Sequence, residues 1–248
     1  MTTKYKYRNG IWTLFESSTH ESMPIGAPIQ FHEDFKGTTL TDGTTIWTNK
    51  DISILGATVR ANLADQHGGV FQLGIVAQAE EEEAGLTMGD QLNFNLDKGF
   101  IIEFRAALNT LPTLLTEIYF GIANNYVKGR LAAADEGPTV HAIFHFSIFG
   151  AVAGGLCHIF TDDGSTDNAQ VTTGITVVKD AYHIFKIDFT QIANVLFYID
   201  GARVAPATTF DMSNGSNVMV QPYMMIYKDG GAGLGDLYVD SVRIWSKR

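Results

Sequence analysis

Between Tyr182 and Val204 the chain reads YHIFKIDFTQIANVLFYIDGARV, and few architectures accommodate that stretch. Tyr182, Ile184, Lys186 and Asp188 alternate with His183, Phe185, Ile187 and Phe189, the period of two that marks a half-buried strand. After the short TQIAN connection, Val195, Phe197 and Ile199 alternate again and run into Asp200-Gly201, a pair suited to a two-residue turn because glycine takes positive φ at no steric cost. A second hairpin then continues through Arg203 and Val204. Consecutive antiparallel strands rich in aromatic residues need a second layer to bury them, so the stretch predicts a β-sandwich.

The rest of the chain repeats the signal. DQLNFNL, FIIEFRAAL, EIYFGIA, TVHAIFHFSIF, LCHIFT, AQVTTGITV, NVMVQPYMMIYK and GDLYVDSVRIW carry β-branched or aromatic residues and are bounded by Gly, Pro, Asn or Asp. No helical periodicity of useful length appears. A dozen or more short strands exceed what one open twisted sheet holds, which favours two packed sheets over a barrel. The expected core comprises Phe104, Phe185, Ile187, Phe197, Ile199, Val239 and Ile244.

Charge narrows the partners. A formal net charge of −10 with no long Lys/Arg cluster argues against nucleic acid. No apolar run approaches the length of a membrane span, and no signal peptide is visible, so neither membrane nor export is expected. The single cysteine, Cys157, lies in the apolar GGLCHIF stretch and reads as a buried, inert thiol.

Residues 1–28 stand apart. Lys4, Lys6 and Arg8 interleave with Tyr5 and Tyr7, and the following SSTHESMPIGAP is expected to lack regular structure. The segment is read as an extended arm preceding a domain of residues 29–248. Tyr5, Tyr7, Arg8, Trp12 and Phe15 are its candidate partner-binding residues, because such aromatics gain from docking on a neighbour.

On FHEDF (31–35), FIIEFRAAL (100–108), FKIDF (185–189), FYIDG (197–201), QPYMMIYK (221–228) and GLGDLYVDSVRIW (233–245), the chain resembles the concanavalin A-like jelly roll of lectins and glucanases. More narrowly, it resembles phage-encoded members found among virion proteins. The resemblance implies an all-β, two-sheet antiparallel jelly-roll sandwich. It further implies a capsid decoration, cement or head-fibre role on the virion surface, with the major capsid protein and copies of itself as partners, in a trimer or other homo-oligomer. A host glycan is an alternative ligand.

Enzymatic relatives of that fold set a test the residues answer poorly. Glucanase members carry a Glu-x-Asp-x-x-Glu cluster that is absent here, and Asp188 and Asp200 read as lone carboxylates at turns. Of the alginate-lyase pattern, Glu103 and Arg105 match half of one motif, Tyr227, Lys228 and Gly230 echo another without its spacing, and no Gln-Ile-His occurs. Catalytic residues, cofactors and metals are therefore expected to be absent. Glu80–Glu83 reads as a solvated loop, and His141 and His145 as packed side chains too far apart along a strand to share a metal. Asp162, Asp163, Asp167 and Asn168 offer oxygen donors for calcium but equally serve a hairpin turn, and Asp65, Gln66 and His67 read as a turn first and a sugar contact second. A carbohydrate-binding module would instead display exposed aromatics, for which Tyr119, Tyr126, Tyr223 and Tyr227 are candidates. A divergent polysaccharide lyase is the third reading.

Overall fold

The computed structural model describes residues 3–8, 11–16, 22–25, 29–36, 46–56, 58–63, 68–91, 94–129, 138–147, 155–215 and 219–246. Strands are numbered β1 to β19 in chain order. One eight-stranded sheet runs β17 (Ala202–Arg203), β16 (Leu196–Ile199), β15 (His183–Asp188), β10 (Phe100–Thr110), β19 (Gly235–Ser246), β7 (Phe71–Ile75), β6 (Val59–Asn62), with β4 (Ile29–Glu33) also on β19. The second runs β14 (Asp167–Thr176), β13 (Leu156–Asp162), β12 (His141–Ser147), β11 (Thr116–Ala123), β18 (Met219–Asp229), β8 (Glu81–Thr87), β5 (Thr48–Asp51), with β9 (Phe94–Asn95) on β18.

The hairpins expected between Tyr182 and Val204 form. Ile199 pairs with Ala202 across Asp200 and Gly201, whose φ angles of 50° and 75° are the two left-handed positions of such a turn. Asp200 Oδ1 accepts from the Ile184 amide at 2.9 Å and Oδ2 lies 2.6 Å from His183 Nδ1, so the turn is tied back to the start of β15.

All seven expected core residues are buried between the sheets, with Phe104, Ile187, Phe197 and Val239 fully so. Phe144 bridges the sheets, meeting Phe185 at 5.1 Å and Phe197 at 5.4 Å edge-on. Cys157 is fully buried in this core, and burial pushes its thiol well above the ordinary range.

Antiparallel register sorts the connections to two ends. Thr110 of β10 lies beside Asp236 of β19, Lys228 of β18 beside Thr116 of β11 and Glu82 of β8, and Asp51 of β5 beside Ala84. The connections 52–58, 76–80, 111–115, 177–182 and 230–234 consequently share one end. Ile29 pairs with Ser246, so β4 begins at the opposite end.

Two expectations are corrected. Residues 80–83 are not a solvated loop: β8 begins at Glu81, and Glu82 and Glu83 are both fully buried. Glu82 faces the core because Lys228, from the neighbouring strand, faces it too, with Nζ 2.7 Å from Glu82 Oε2 and donating to the carbonyls of Val76 and Gln78. A buried carboxylate is tolerated when a buried cation is bonded to it.

The N-terminal segment is also more regular than expected. Thr3–Arg8 (β1), Ile11–Glu16 (β2) and Ser22–Ile25 (β3) form a separate three-stranded antiparallel sheet. Arg8 pairs with Ile11, and the sequence that separates them, Asn-Gly, is the strongest short-range hairpin signal.

Candidate functional site

Alternation places Ile118, Phe120 and Ile122 of β11 in the core, so Glu117, Tyr119, Gly121 and Ala123 form the outer face of the second sheet. Pairing extends that face sideways in rows. Tyr119 lies between His145 and Met225, and His145 pairs with His158. Glu117 pairs with Tyr227, which pairs with Glu83. Tyr223 lies between Gly121 and Thr87. The four tyrosines proposed from sequence as sugar contacts therefore do converge, since Tyr126 follows β11 onto the same face.

They are not exposed. Tyr119, Tyr223 and Tyr227 are buried, because residues 124–129 cross the face as a strap. The Tyr119 phenol donates to the Gly129 carbonyl at 2.8 Å and the Tyr223 phenol to the Val127 carbonyl at 3.1 Å. At the near end of the strap the Tyr126 amide donates to Asp90 Oδ1 at 2.8 Å, an oxygen that also accepts from Gln221 Nε2 at 2.6 Å. At the far end Lys128 Nζ and the Tyr227 phenol reach the two oxygens of Glu81, at 2.8 and 3.0 Å.

Glu83 is the centre of this arrangement. The Tyr126 phenol donates a short hydrogen bond to its Oε1, and the Gly129 amide donates to Oε2 at 3.3 Å. Burial pushes the Glu83 carboxyl up to about 7, against the lowering effect of those bonds. Burial and the carboxylate together push the Tyr126 phenol up as well, and Lys50 Nζ sits 4.5 Å over its ring.

A second buried pair completes the face. His145 Nε2 lies 3.3 Å from Glu117 Oε2, with both side chains buried, and the imidazole meets Phe160 edge-on at 4.7 Å. Glu117 and Glu83 flank Tyr227, which puts their backbones about 10 Å apart across two inter-strand spacings. Both carboxylates are bonded within the protein beneath the strap, so neither meets a polymer from solvent in this conformation.

Other candidates fall elsewhere. Glu103 and Arg105 are on β10, on the outer face of the first sheet, where Arg105 pairs with Asp240 at 3.0 Å and stacks over Tyr182 at 4.4 Å. Tyr227 faces outward from the second sheet and Lys228 faces the core, so the lyase-like fragments never meet. Asp188 Oδ1 accepts from the Thr190 amide and hydroxyl, a local turn, although the side chain is buried. Asp163 accepts from the amides of Ser165, Thr166 and Asn214, and Asp162 from Gly164, so that loop uses its carboxylates to hold backbone. Among the described residues no group of three or more His, Cys, Asp or Glu side chains is placed to hold a metal ion. Asp65, Gln66 and His67 lie outside the described residues.

The N-terminal candidates are divided by register. Tyr5 pairs with Leu14, Tyr7 with Trp12, Trp12 with Ile25 and Leu14 with Met23, which puts these residues on one face of the small sheet. Arg8 and Phe15 fall on the other face, with Lys4 and Lys6. Phe15 is half-buried.

No known family model matches the chain, and no curated protein matches it in sequence. Among solved structures it is similar to the carbohydrate recognition domain of Emp47p, with a TM-score of 0.55 at 9% identity over 88% of this chain and 95% of that one. It is also similar to a Bacteroides ovatus mixed-linkage glucan GH16 protein solved with a product, with a TM-score of 0.54 at 13% identity over 86% and 99%. A Shewanella oneidensis protein of unknown function aligns with a TM-score of 0.53 at 13% identity over 93% and 91%. These matches establish the concanavalin A-like lectin/glucanase sandwich as the fold; at such identities the likeness is one of architecture alone.

Proposed function

We propose that the chain is a non-enzymatic structural module of a virion, a capsid decoration or head-fibre component attached to the major capsid lattice through its N-terminal three-stranded sheet. The observation that carries the non-enzymatic part is the closure of the second sheet's outer face. Glu83, Glu81, Tyr119, Tyr126, Tyr223 and Tyr227 are bonded to the strap or to each other, which leaves no open cleft with converging catalytic groups there. Attachment by the N-terminal sheet rests on its chemistry. Residues 1–25, which contain that sheet, carry Lys4, Lys6 and Arg8 against Glu16 and Glu21, in a chain whose net charge is −10. The virion setting rests on the resemblance to phage-encoded members of the superfamily.

A deletion of residues 1–25 tests the attachment. No described strand of the sandwich pairs with β1, β2 or β3, so the remainder should fold and keep its thermal transition. It should fail to co-sediment with purified capsids that bind the full chain; full attachment without the segment would overturn the mechanism.

A second reading is favoured by the tyrosines themselves. Three of them, Tyr119, Tyr223 and Tyr227, would line one face as a glycan-stacking surface requires once the strap, which carries Tyr126, is displaced. A glycan screen and a polysaccharide-hydrolysis assay on the same two proteins separate the readings: ligand binding retained after deletion supports a carbohydrate module, and turnover lost in Glu83→Gln supports an enzyme.

A further inference from the structure

Residues 124–129 are fixed to the sandwich in two different ways. Asn124 belongs to the framework: its amide donates to the Val140 carbonyl at 2.9 Å, its Oδ1 accepts from the Val140 amide at 3.2 Å, and its Nδ2 donates to Thr139 Oγ1 at 2.9 Å. From Tyr126 to Gly129, every described hydrogen bond to the sheet beneath has a side chain at one end or both. Residues 125–129 are half-buried, or exposed in the case of Lys128, whereas Tyr119 and Tyr223 beneath them are buried. A segment held without ladder bonds and wetted on its outer side can leave without unpairing a strand, which is how local opening occurs in a folded chain.

Glu83 is the buried end of two of those bonds, from the Tyr126 phenol and the Gly129 amide. The charges around it are bonded elsewhere. On its own strand Glu81 holds Lys128 at 2.8 Å and the Tyr227 phenol of β18 at 3.0 Å. On β11 Glu117 holds His145 of β12, and from β5 Lys50 lies over the Tyr126 ring. Asp90 holds the Tyr126 amide and the Gln221 side chain. The phenols of Tyr119 and Tyr223 donate to the strap's carbonyls, not to Glu83. Glu81, Glu83 and Glu117 thus share one face, and among the described residues no cation is bonded to Glu83. A carboxylate buried without a bonded cation is costly to ionise, and contact with water removes the cost.

We propose that residues 125–129 are a proton-controlled cover over the outer face of the second sheet. With Glu83 protonated the cover is shut; loss of that proton releases it beyond Asn124 and uncovers Tyr119, Tyr223 and Glu83 while the two sheets stay paired. Closure needs no charge, because the protonated carboxyl keeps a carbonyl oxygen to accept from the Tyr126 phenol. The sign follows from burial. The shut carboxyl titrates at about 7, and in water it returns to its ordinary 4.5. Opening therefore releases a proton between those values, so the ratio of open to shut should rise about tenfold per pH unit and level off above pH 7, about 300-fold higher. This device goes beyond the virion reading and holds whatever meets the uncovered face.

Amide hydrogen exchange on the purified full-length chain tests it, followed by NMR across that pH range and corrected for the intrinsic pH dependence of exchange. The Tyr126 and Gly129 amides are bonded to Asp90 and Glu83 in the shut form, so their protection measures the open fraction. In the wild type it should fall about 300-fold as pH rises and stay below that of β10 throughout, which marks opening without unfolding. Glu83→Gln cannot ionise and should hold the protection constant. Tyr126→Phe removes a bond that lowers the Glu83 titration, so its loss of Gly129 protection should continue above pH 7 instead of levelling off. That variant carries the test alone should Glu83→Gln lose its thermal transition. Protection that ignores pH in the wild type, that equals β10 throughout, that still falls in Glu83→Gln, or that levels off at the wild-type pH in Tyr126→Phe overturns the inference.

Discussion

Lys228 Nζ lies 2.7 Å from Glu82 Oε2 in the interior of the sandwich, with neither side chain exposed to solvent. Nζ also donates to the carbonyls of Val76 and Gln78 at 2.8 and 2.7 Å. Lys228→Met should destabilise by about 3–5 kcal/mol, because it strands a buried carboxylate. Adding Glu82→Leu should recover part of that loss, with a coupling of about 1–3 kcal/mol in a double-mutant cycle of urea melts. Strict additivity would mean that the two side chains do not interact.

Glu83 makes stability fall as pH rises. Its folded carboxyl titrates at about 7, above the ordinary value of 4.5, so between those values the folded chain holds a proton that the unfolded chain has lost. Its favourable contribution is complete below about pH 4.5 and is lost through pH 7, a change of about 3 kcal/mol at 1.36 kcal/mol per unit. Glu83→Gln keeps an acceptor for Tyr126 and removes the titration. The variant should therefore gain on the wild type in urea melts at pH 8 and lose that advantage at pH 5, whereas a constant difference would place the titration elsewhere.

Phe197 is fully buried and edge-on to Phe144 and Phe210, at 5.4 and 5.0 Å. Phe197→Ala should cost about 3–5 kcal/mol in denaturant melts. A loss under about 1 kcal/mol would contradict its position between the sheets.

Gly121 is required by close approach. A Cβ there would stand 2.1 Å from the Ala142 carbonyl oxygen and 2.8 Å from Ile143 Cα, both backbone atoms of the paired strand. Gly121→Ala should prevent β11 from pairing with β12, and a cooperative, wild-type-like melting transition in that variant would show that the strands can separate at little cost.

The sandwich was legible because its signal is local. FKIDF and FYIDG carry their own alternation and turn, and the same holds for the core faces of β10 and β19. Glu82 and Glu83 were not legible, because what permits their burial, Lys228 and Tyr126, comes from distant parts of the chain. Nor was the strap: residues 124–129 have no periodicity, and their bonds to Tyr119, Tyr223 and Glu83 exist only once β8, β11 and β18 are neighbours. The N-terminal hairpin has a local signal in Asn9-Gly10, but the Ser/Thr/Pro-rich residues that follow point to irregular structure.

β19 joins β10, β7 and β4 at the middle of the first sheet, yet it comes after all of them in chain order. A nascent chain that has not yet supplied residues 235–246 leaves both β10 and β7 with an unpaired flank, and a sheet split in two. Before that point the first sheet can form only its separate parts, such as the β10–β15–β16 and β6–β7 pairings. In the interval those flanks are open to strands from neighbouring nascent chains, so yield in overexpression should track how quickly residues 235–246 emerge and insert.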